Sequence, residues 1–255
     1  MSTTPCIAFQ GPSNLDGYNR KRRPSQQTAN IPRTFVDAME VREQVFVEEQ
    51  GVPQDNEFDS DDTRACHWVV YAAENPMEPG QIEAAGSTIK DDIKLKPIGT
   101  IRLVPFPHAP HPEPGSSYTF DADEIESSEP PHFIIDRPTT YHDGREPYIK
   151  LGRLAVAKEY RGAGIAKLLA HTAMAWAQQN SIFFNASSKV IDSNTGKFPV
   201  WKGLMCVHAQ EQVSKAWEKW GFKLDEEMGS WEEEGIKHLG MFKRFDVGNV
   251  KPMFG

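Results

Sequence analysis

Between Leu154 and Ala166 the chain changes character within a few residues. Leu154-Ala155-Val156-Ala157 reads as an apolar strand ending, Lys158-Glu159-Tyr160-Arg161-Gly162-Ala163-Gly164 as a short glycine-containing turn, and Ile165 as the opening of a helix. A strand that turns through glycines straight into a helix gathers the unpaired N–H groups of the helix start inside a tight curl of backbone. Those donors, the positive end of the helix dipole and the fixed charge of Arg161 make an anion site. The helix is predicted from Ile165 to about Gln178, because Ile165, Leu168, Leu169, Thr172, Ala173 and Trp176 recur at steps of three and four.

Two familiar phosphate loops can be tested on these residues. The Walker pattern fails because Lys167 follows Ala166 instead of glycine and precedes Leu168 instead of Ser or Thr. The dinucleotide fingerprint fails because Lys167 stands where its third glycine belongs and no Asp or Glu lies about 20 residues on to hold a ribose. What fits is Arg-x-x-Gly-x-Ala, read as Arg161, Gly164 and Ala166 and preceded by Leu-Ala-Val and a tyrosine. This resembles the acyl-CoA pyrophosphate loop of the GNAT superfamily of N-acetyltransferases; for the six-residue pattern alone, an ordinary helix N-terminus is the alternative.

At 255 residues the chain has room for one large domain or two small ones. No stretch approaches the roughly 18 consecutive apolar residues of a membrane span, and Met1 to Cys6 lacks a basic region leading into an apolar one, so no membrane partner and a cytoplasmic location are expected. Cys6, Cys66 and Cys206 are too few and too scattered for a disulfide framework or a cysteine metal site, and reduced thiols are expected. A net charge of −8 and a pI near 5.5 argue against a nucleic-acid partner, which would call for a basic face, and suit a cationic substrate. The acidic run Asp55, Glu57, Asp59, Asp61 and Asp62 reads as a solvated loop.

A first strand is predicted at Cys6 to Phe9. Gly11 to Arg33 is polar and contains Arg20-Lys21-Arg22-Arg23-Pro24-Ser25, so it reads as an exposed, poorly ordered arm, with a nuclear signal as the alternative to a solvated basic loop. Thr34 can cap a helix through about Gln50, with Phe35, Met39, Val41, Val45 and Phe46 on its apolar face and Gly51 and Pro53 stopping it. His67 to Ala73 and Pro97 to Val104 read as antiparallel neighbours. Pro105 to Pro147 is an insertion of proline, histidine, serine and acidic residues, anchored by Tyr118-Thr119-Phe120 and Phe133-Ile134-Ile135. Its His108, His111, His132 and His142 match no compact ligand spacing and read as loop histidines, so no metal is expected. Tyr148 to Val156, Leu204 to Ala209 and Lys237 to Phe245 read as strands, and Glu211 to Trp220 as a short helix ended by Gly221. This order suits a mixed α/β sheet in a single domain over 34–245, with a strand and arm at 1–33 and a tail at 246–255.

Two further segments carry the resemblance. Arg42-Glu43-Gln44-Val45-Phe46-Val47-Glu48-Glu49-Gln50-Gly51-Val52-Pro53, followed by Glu57, Asp59 and Asp62, is similar to the first-helix signature of one GNAT branch, and Val207-His208-Ala209-Gln210 with Gly221-Phe222 is similar to the strand and helix on the cofactor's far side. Together the motifs cover about 34–104 and 148–245, outside the arm and the insertion. The resemblance implies an α/β (α+β) fold with a mixed, mostly antiparallel sheet flanked by helices, whose fourth and fifth strands splay to admit the pantetheine arm of acetyl-CoA. It implies that Leu154, Ala155 and Val156 offer backbone groups to pantetheine, that Arg161, Gly162, Ala163, Gly164, Ile165 and Ala166 hold pyrophosphate, and that Gln210 flanks the other side. For Leu154 to Val156 a plain buried strand is compatible with that role.

Direct attack of an amine on a thioester needs a base for the ammonium proton, a donor for the carbonyl oxygen and provision for the departing thiolate. By resemblance the oxyanion donor is a backbone N–H near Ala155 or Val156. His208 is a candidate base with a suitable pKa range, a structural histidine being the alternative, and Glu48 or Glu49 can act through water. The family commonly places a proton-donating tyrosine five positions before the Phe of its Gly-Phe ending. Here that position is Trp217, whose indole N–H donates a hydrogen bond but cannot surrender its proton at neutral pH, leaving Tyr148, Tyr160 or water as substitutes. The leading expectation is acetyl transfer from acetyl-CoA to a small primary amine such as an amino sugar or polyamine, with the insertion helping to enclose it. A protein N-acetyltransferase, which needs an open groove and is favoured by a compact or disordered insertion, and a non-catalytic CoA-binding sensor are the alternatives. A homodimer is left open, with Trp68, Trp201 and Trp231 as interface candidates and core burial as their commoner fate.

Overall fold

The computed structural model describes residues 6–74, 94–119, 135–187 and 199–248. Nine strands form one sheet in the order β1-β2-β3-β5-β6-β9-β8-β4, with β7 also on β9. They are β1 (Cys6–Gln10), β2 (Cys66–Ala73), β3 (Leu95–Val104), β4 (Ser117–Tyr118), β5 (Tyr148–Val156), β6 (Leu204–Gln210), β7 (Lys223–Leu224), β8 (Ser230–Glu233) and β9 (Ile236–Arg244). Among the described residues only the β5–β6 and β4–β8 pairs are parallel. This is the expected mixed, mostly antiparallel sheet; setting aside the two-residue β4 inside the insertion, β5 and β6 are its fourth and fifth strands.

Alternation along the strands splits the core in two, as the pleat requires. Cys66, Trp68, Val70, Ile101, Leu103, Ile149, Leu151, Met205 and Val207 turn to the face covered by a helix at Ile165–Gln179, where Leu169, Ala173, Met174 and Ala177 meet them. The opposite face takes helix α1 (Arg33–Arg42), whose Phe35, Val36 and Met39 pack with Leu15 and Ile31, while Val41 and Val45 reach Ala155. The Ile165–Gln179 helix, α3 after a short α2 at Gln54–Glu57, sits close to the sheet because β3 carries glycine at 99, where a Cβ would lie 2.9 Å from Ile165 Cγ2. Short helices α4 (Ser181–Ser187) and α5 (Ser214–Lys219) complete the set, α5 being preceded by a 3-10 turn at Glu211–Val213, so the helix expected over Glu211 to Trp220 is made in two pieces and ends at Gly221 with φ +92°. No helix among the described residues is long and apolar enough to cross a membrane.

The first helix departs from expectation at both ends. It starts at Arg33 with Pro32 in the capping position and no side-chain cap, so Thr34 lies within its first turn. From Glu43 to Glu49 it widens into a π-helix, a form concentrated at functional sites. The arm at 11–33 is packed: Leu15 and Ile31 are buried with Phe35, Tyr18 stacks on Phe58 at 4.7 Å, and Arg20 donates to the Asp55 and Phe58 carbonyls. Arg20 is thereby withdrawn from the basic run, and Lys21, Arg22 and Arg23 remain exposed. Trp68, Trp201 and Trp231 are each at most 2% exposed and belong to the interior, not to an interface.

The described parts of the insertion, 105–119 and 135–147, are docked on the sheet. Asp225 accepts from Thr139 Oγ1 and from the Thr140 and Tyr141 backbone N–H groups, and His108, His111 and His142 are buried against Tyr148, so these three are not solvated loop histidines. The spacing argument against histidine convergence fails for His111 and His142, because the fold closes the 31 residues between them. His132 and the proposed anchors Phe120, Phe133 and Ile134 lie outside the described residues.

Candidate active site

Register accounts for the opening at the centre of the molecule. β5 and β6 pair only from Tyr148–Leu204 to Leu151–Val207, although β5 continues to Val156 and β6 to Gln210. On its other edge β5 pairs with β3 through Gly152–Arg102 and Ala155–Thr100, leaving Arg153 and Leu154 opposite the single residue Ile101. That bulge, with Arg153 at φ +47°, begins two residues after the last β5–β6 pair. A bulge bends and twists its strand, so β5 swings away from β6 and a wedge opens.

Three arginines and three carboxylates hold the bulge. Arg42 donates from Nε to Glu57 Oε1 at 2.6 Å and from Nη1 to Asp62 Oδ1 at 2.7 Å; Arg102 grips Asp59 and Asp62 at 2.6 and 2.7 Å; Arg153 reaches Asp59 Oδ2 at 3.1 Å and Glu57 Oε1 at 3.2 Å. The acidic run is therefore not a solvated loop: Glu57, Asp59 and Asp62 are buried counter-ions. Burial opposes ionisation of Asp62, but the charges of Arg42 and Arg102 and the hydrogen bond from Arg42 override it and hold the carboxyl well below its ordinary range.

At the far end of β5 the turn has the geometry of an anion cradle. Gly162 and Gly164 lie at φ +79° and +83°, and a Cβ on either would meet nothing within 4 Å, so the curl is open on its outer side. Gly164 caps α3 without a side-chain acceptor, and the Leu168 N–H is the one that returns to Gly164 O, so the N–H groups of Ile165, Ala166 and Lys167 precede the first helical bond. Arg161 donates from Nε to Val156 O and from Nη2 to Glu49 Oε1, both at 2.9 Å. These residues fit a pyrophosphate: free backbone donors, a helix N-terminus and a half-exposed guanidinium. Leu154 packs on the α3-side core beside Val156, and Ala155 is buried under Val41 and Val45.

The wedge is spanned at its open end by Gln50, just past the π-helix, and Gln210, the last residue of β6, which exchange hydrogen bonds at 2.9 and 3.3 Å. His208 stands one residue beyond the last β5–β6 pair, edge-on to Trp231 at 4.7 Å, with Nε2 buried and unpartnered among the described residues. Burial, aided by Lys150, His111 and His238, holds it well below the ordinary imidazole value. The two glutamates separate: Glu49 belongs to the cradle through Arg161, whereas Glu48 is half exposed, 3.8 Å from Arg23, and lines a cavity of about 220 Å³ with Glu40, Glu43 and Lys96. Trp217 is 4% exposed and packs at 5.0 and 5.2 Å against Trp220 and Phe222. Tyr148, offered as a substitute acid, is stacked beneath His108 and His111 at the joined end of the strands, away from the wedge. Arg153 and Gln50 escaped sequence reasoning; the visible signal for Arg153 was a charged residue directly after glycine in the middle of a strand whose one other charge is Lys150.

Residues 43–202 match the model of the acetyltransferase (GNAT) family. Over 45 residues the chain is 47% identical to the uncharacterized N-acetyltransferase YjcF of Bacillus subtilis, a match covering 18% of this chain and 32% of that relative's length. Among solved structures, an acyl-CoA N-acyltransferase from Pseudomonas aeruginosa aligns at 14% identity over 94% of this chain and 99% of its own, with a TM-score of 0.47. ElaA of Escherichia coli aligns at 15% identity over 94% and 100%, with a TM-score of 0.46. With its family model spanning most of the chain, the protein belongs to the GNAT family of acetyltransferases.

Proposed function

We propose that this protein transfers an acetyl group from acetyl-CoA to the nitrogen of a small primary amine, an amino sugar or polyamine. The observation that carries the reading is the wedge between β5 and β6, which ends at a glycine cradle on the N-terminus of α3. In this reading Arg161 to Ala166 hold the pyrophosphate, Leu154 to Val156 give backbone groups to the pantetheine arm, and Gln210 closes the opposite side. Acetyl-CoA supplies an acyl thioester; the chain's own residues position and polarise it.

Attack by a neutral amine places negative charge on the carbonyl oxygen, which a backbone N–H near Ala155 or Val156 meets in a buried strand. His208 is already neutral at pH 7 and offers Nε2 as a hydrogen-bond acceptor to the incoming nitrogen. Its depressed basicity makes it an orienting group first, with the ammonium proton passing through water. A thiol of pKa about 8.5 departs without a strong acid, so Trp217 is not needed as a donor. A cytoplasmic setting suits the three unpaired cysteines.

A second reading, acetylation of a lysine or N-terminus on a protein, is favoured by the docking of His108, His111 and 135–147 at the joined end of β5 and β6, which withdraws those parts of the insertion from the wedge. Thiol release from acetyl-CoA, followed with amino sugars, polyamines, amino acids and lysine peptides, tests both. Release with free amines alone supports the first and release with peptides alone the second. CoA binding with no release from any acceptor would leave a sensor in place of an enzyme.

A further inference from the structure

The insertion brings together three side chains that acetyl transfer leaves without a task. His111 Nε2 lies 2.8 Å from His142 Nδ1 and 3.8 Å from Asp136 Oδ2, and the three ligand atoms all fall within 4.8 Å of one another. The imidazoles are 3% and 4% exposed, His111 stacked on Tyr148 and His142 on Phe242. Such enclosure is unlike the chance proximity of surface histidines.

The hydrogen bonds fix where the protons are. His142 Nε2 is 2.9 Å from the Glu146 carbonyl, which only accepts, so that nitrogen carries the proton and Nδ1 presents a lone pair. His111 Nε2–H must then donate to it, leaving His111 Nδ1 buried with no partner among the described residues.

We propose that His111, Asp136 and His142 bind one divalent transition-metal ion of the zinc class, which clips the two described parts of the insertion to each other above Tyr148 and Phe242. Two imidazoles and a carboxylate suit a borderline-soft ion. At metal–ligand distances of about 2.0–2.1 Å, tetrahedral ligand atoms stand about 3.3 Å apart, so the nitrogens part slightly from 2.8 Å and the carboxylate oxygen closes from 3.8 Å. As the ion binds, the His111 proton moves from Nε2 to Nδ1, which frees Nε2 as a ligand beside His142 Nδ1. The His142 Nε2–H bond to the Glu146 carbonyl is the outer contact that metal-bound histidines make. Beside the cluster, a cavity of about 30 Å³ lined by Phe106, Asp136, His142 and Tyr148 has room for a water as fourth ligand.

The test uses the full chain, purified without a histidine tag and stripped with EDTA. Titration with Zn²⁺ is expected to show one ion per chain and, at about a hundred times Kd, a Tm rise of about 5–10 °C, and Co²⁺ is expected to give the intense visible absorption of a tetrahedral site. Asp136→Asn, which keeps the acceptor for the His111 backbone N–H, should weaken Zn²⁺ at least tenfold; His142→Phe should abolish the Co²⁺ signal. Equal Tm values for the wild type in Zn²⁺ and in EDTA, or Zn²⁺ binding unchanged in Asp136→Asn, would overturn the site, and the wild-type comparison stands even where a variant fails to fold.

Discussion

Glu49→Gln separates two roles that chemistry alone allows for this residue. Its carboxylate lies 2.9 Å from Arg161 Nη2, with the two side chains 29% and 44% exposed, a pair of the solvent-screened kind worth about 0.2–1 kcal/mol. A pyrophosphate in the cradle must draw the same guanidinium away, so breaking the pair is part of the cost of binding. Removing the carboxylate beforehand should tighten CoA by about 1.4- to 5-fold, with the gain shrinking as salt screens the pair. The assay is calorimetric titration of CoA into both proteins at low and high ionic strength, with kcat measured alongside; kcat should stay within about twofold. If Glu49 were the base, the result would invert: unchanged CoA affinity and a kcat lower by about 10²–10⁴-fold. That outcome would refute the assignment of Glu49 to the cradle.

Gly164→Glu, which sets a carboxylate beside the three free N–H groups at a left-handed position, should abolish CoA binding, whereas Gly164→Asn should retain it; equal affinity in wild type and Gly164→Glu means the cradle lies elsewhere. Asp62→Asn leaves Arg42 and Arg102 short of a buried counter-charge and should cost about 3–5 kcal/mol, or about 6–20 °C in Tm. Because Asp62 titrates below its unfolded value, the wild type's advantage over that variant should be complete above the ordinary carboxyl value of 3.8 and close progressively at lower pH; a gap constant down to pH 2 counts against the network. Trp217→Phe should lower stability by about 1–2 kcal/mol and leave most of the turnover, and a loss of several hundredfold without weaker CoA binding would reveal a role for the indole.

What was legible beforehand was what is written locally. The strand, glycine turn and helix from Tyr148 to Gln179 follow from adjacent residues and a short period, and they are where the reading and the structure agree most closely. The misreadings share a physical cause: the deciding partner is distant in the chain. Asp59 looks solvated until Arg102, 43 residues on, and Arg153, 94 residues on, are placed beside it. The arm looked loose because Leu15, Tyr18 and Ile31 stand singly among polar residues, with no period to announce that they share one patch of α1. The π-helical turn at Glu43–Glu49 has no compositional signature, yet it ends where Glu49 and Gln50 meet Arg161 and Gln210.

The wedge is also an edge inside the sheet. Past Leu151 and Val207 each strand keeps a partner on its outer side, β3 or β9, and presents a row of backbone donors and acceptors with no strand opposite. Unpaired strand edges recruit other strands, and proteins normally cover them. In the proposed reading the cover is a ligand with amide groups of its own, so that the ligand-free protein would carry an adhesive seam that the loaded protein lacks. Preparations saturated with CoA should accordingly stay monodisperse at concentrations where stripped ones self-associate, and an extended peptide able to add a strand should compete with CoA for the same groove.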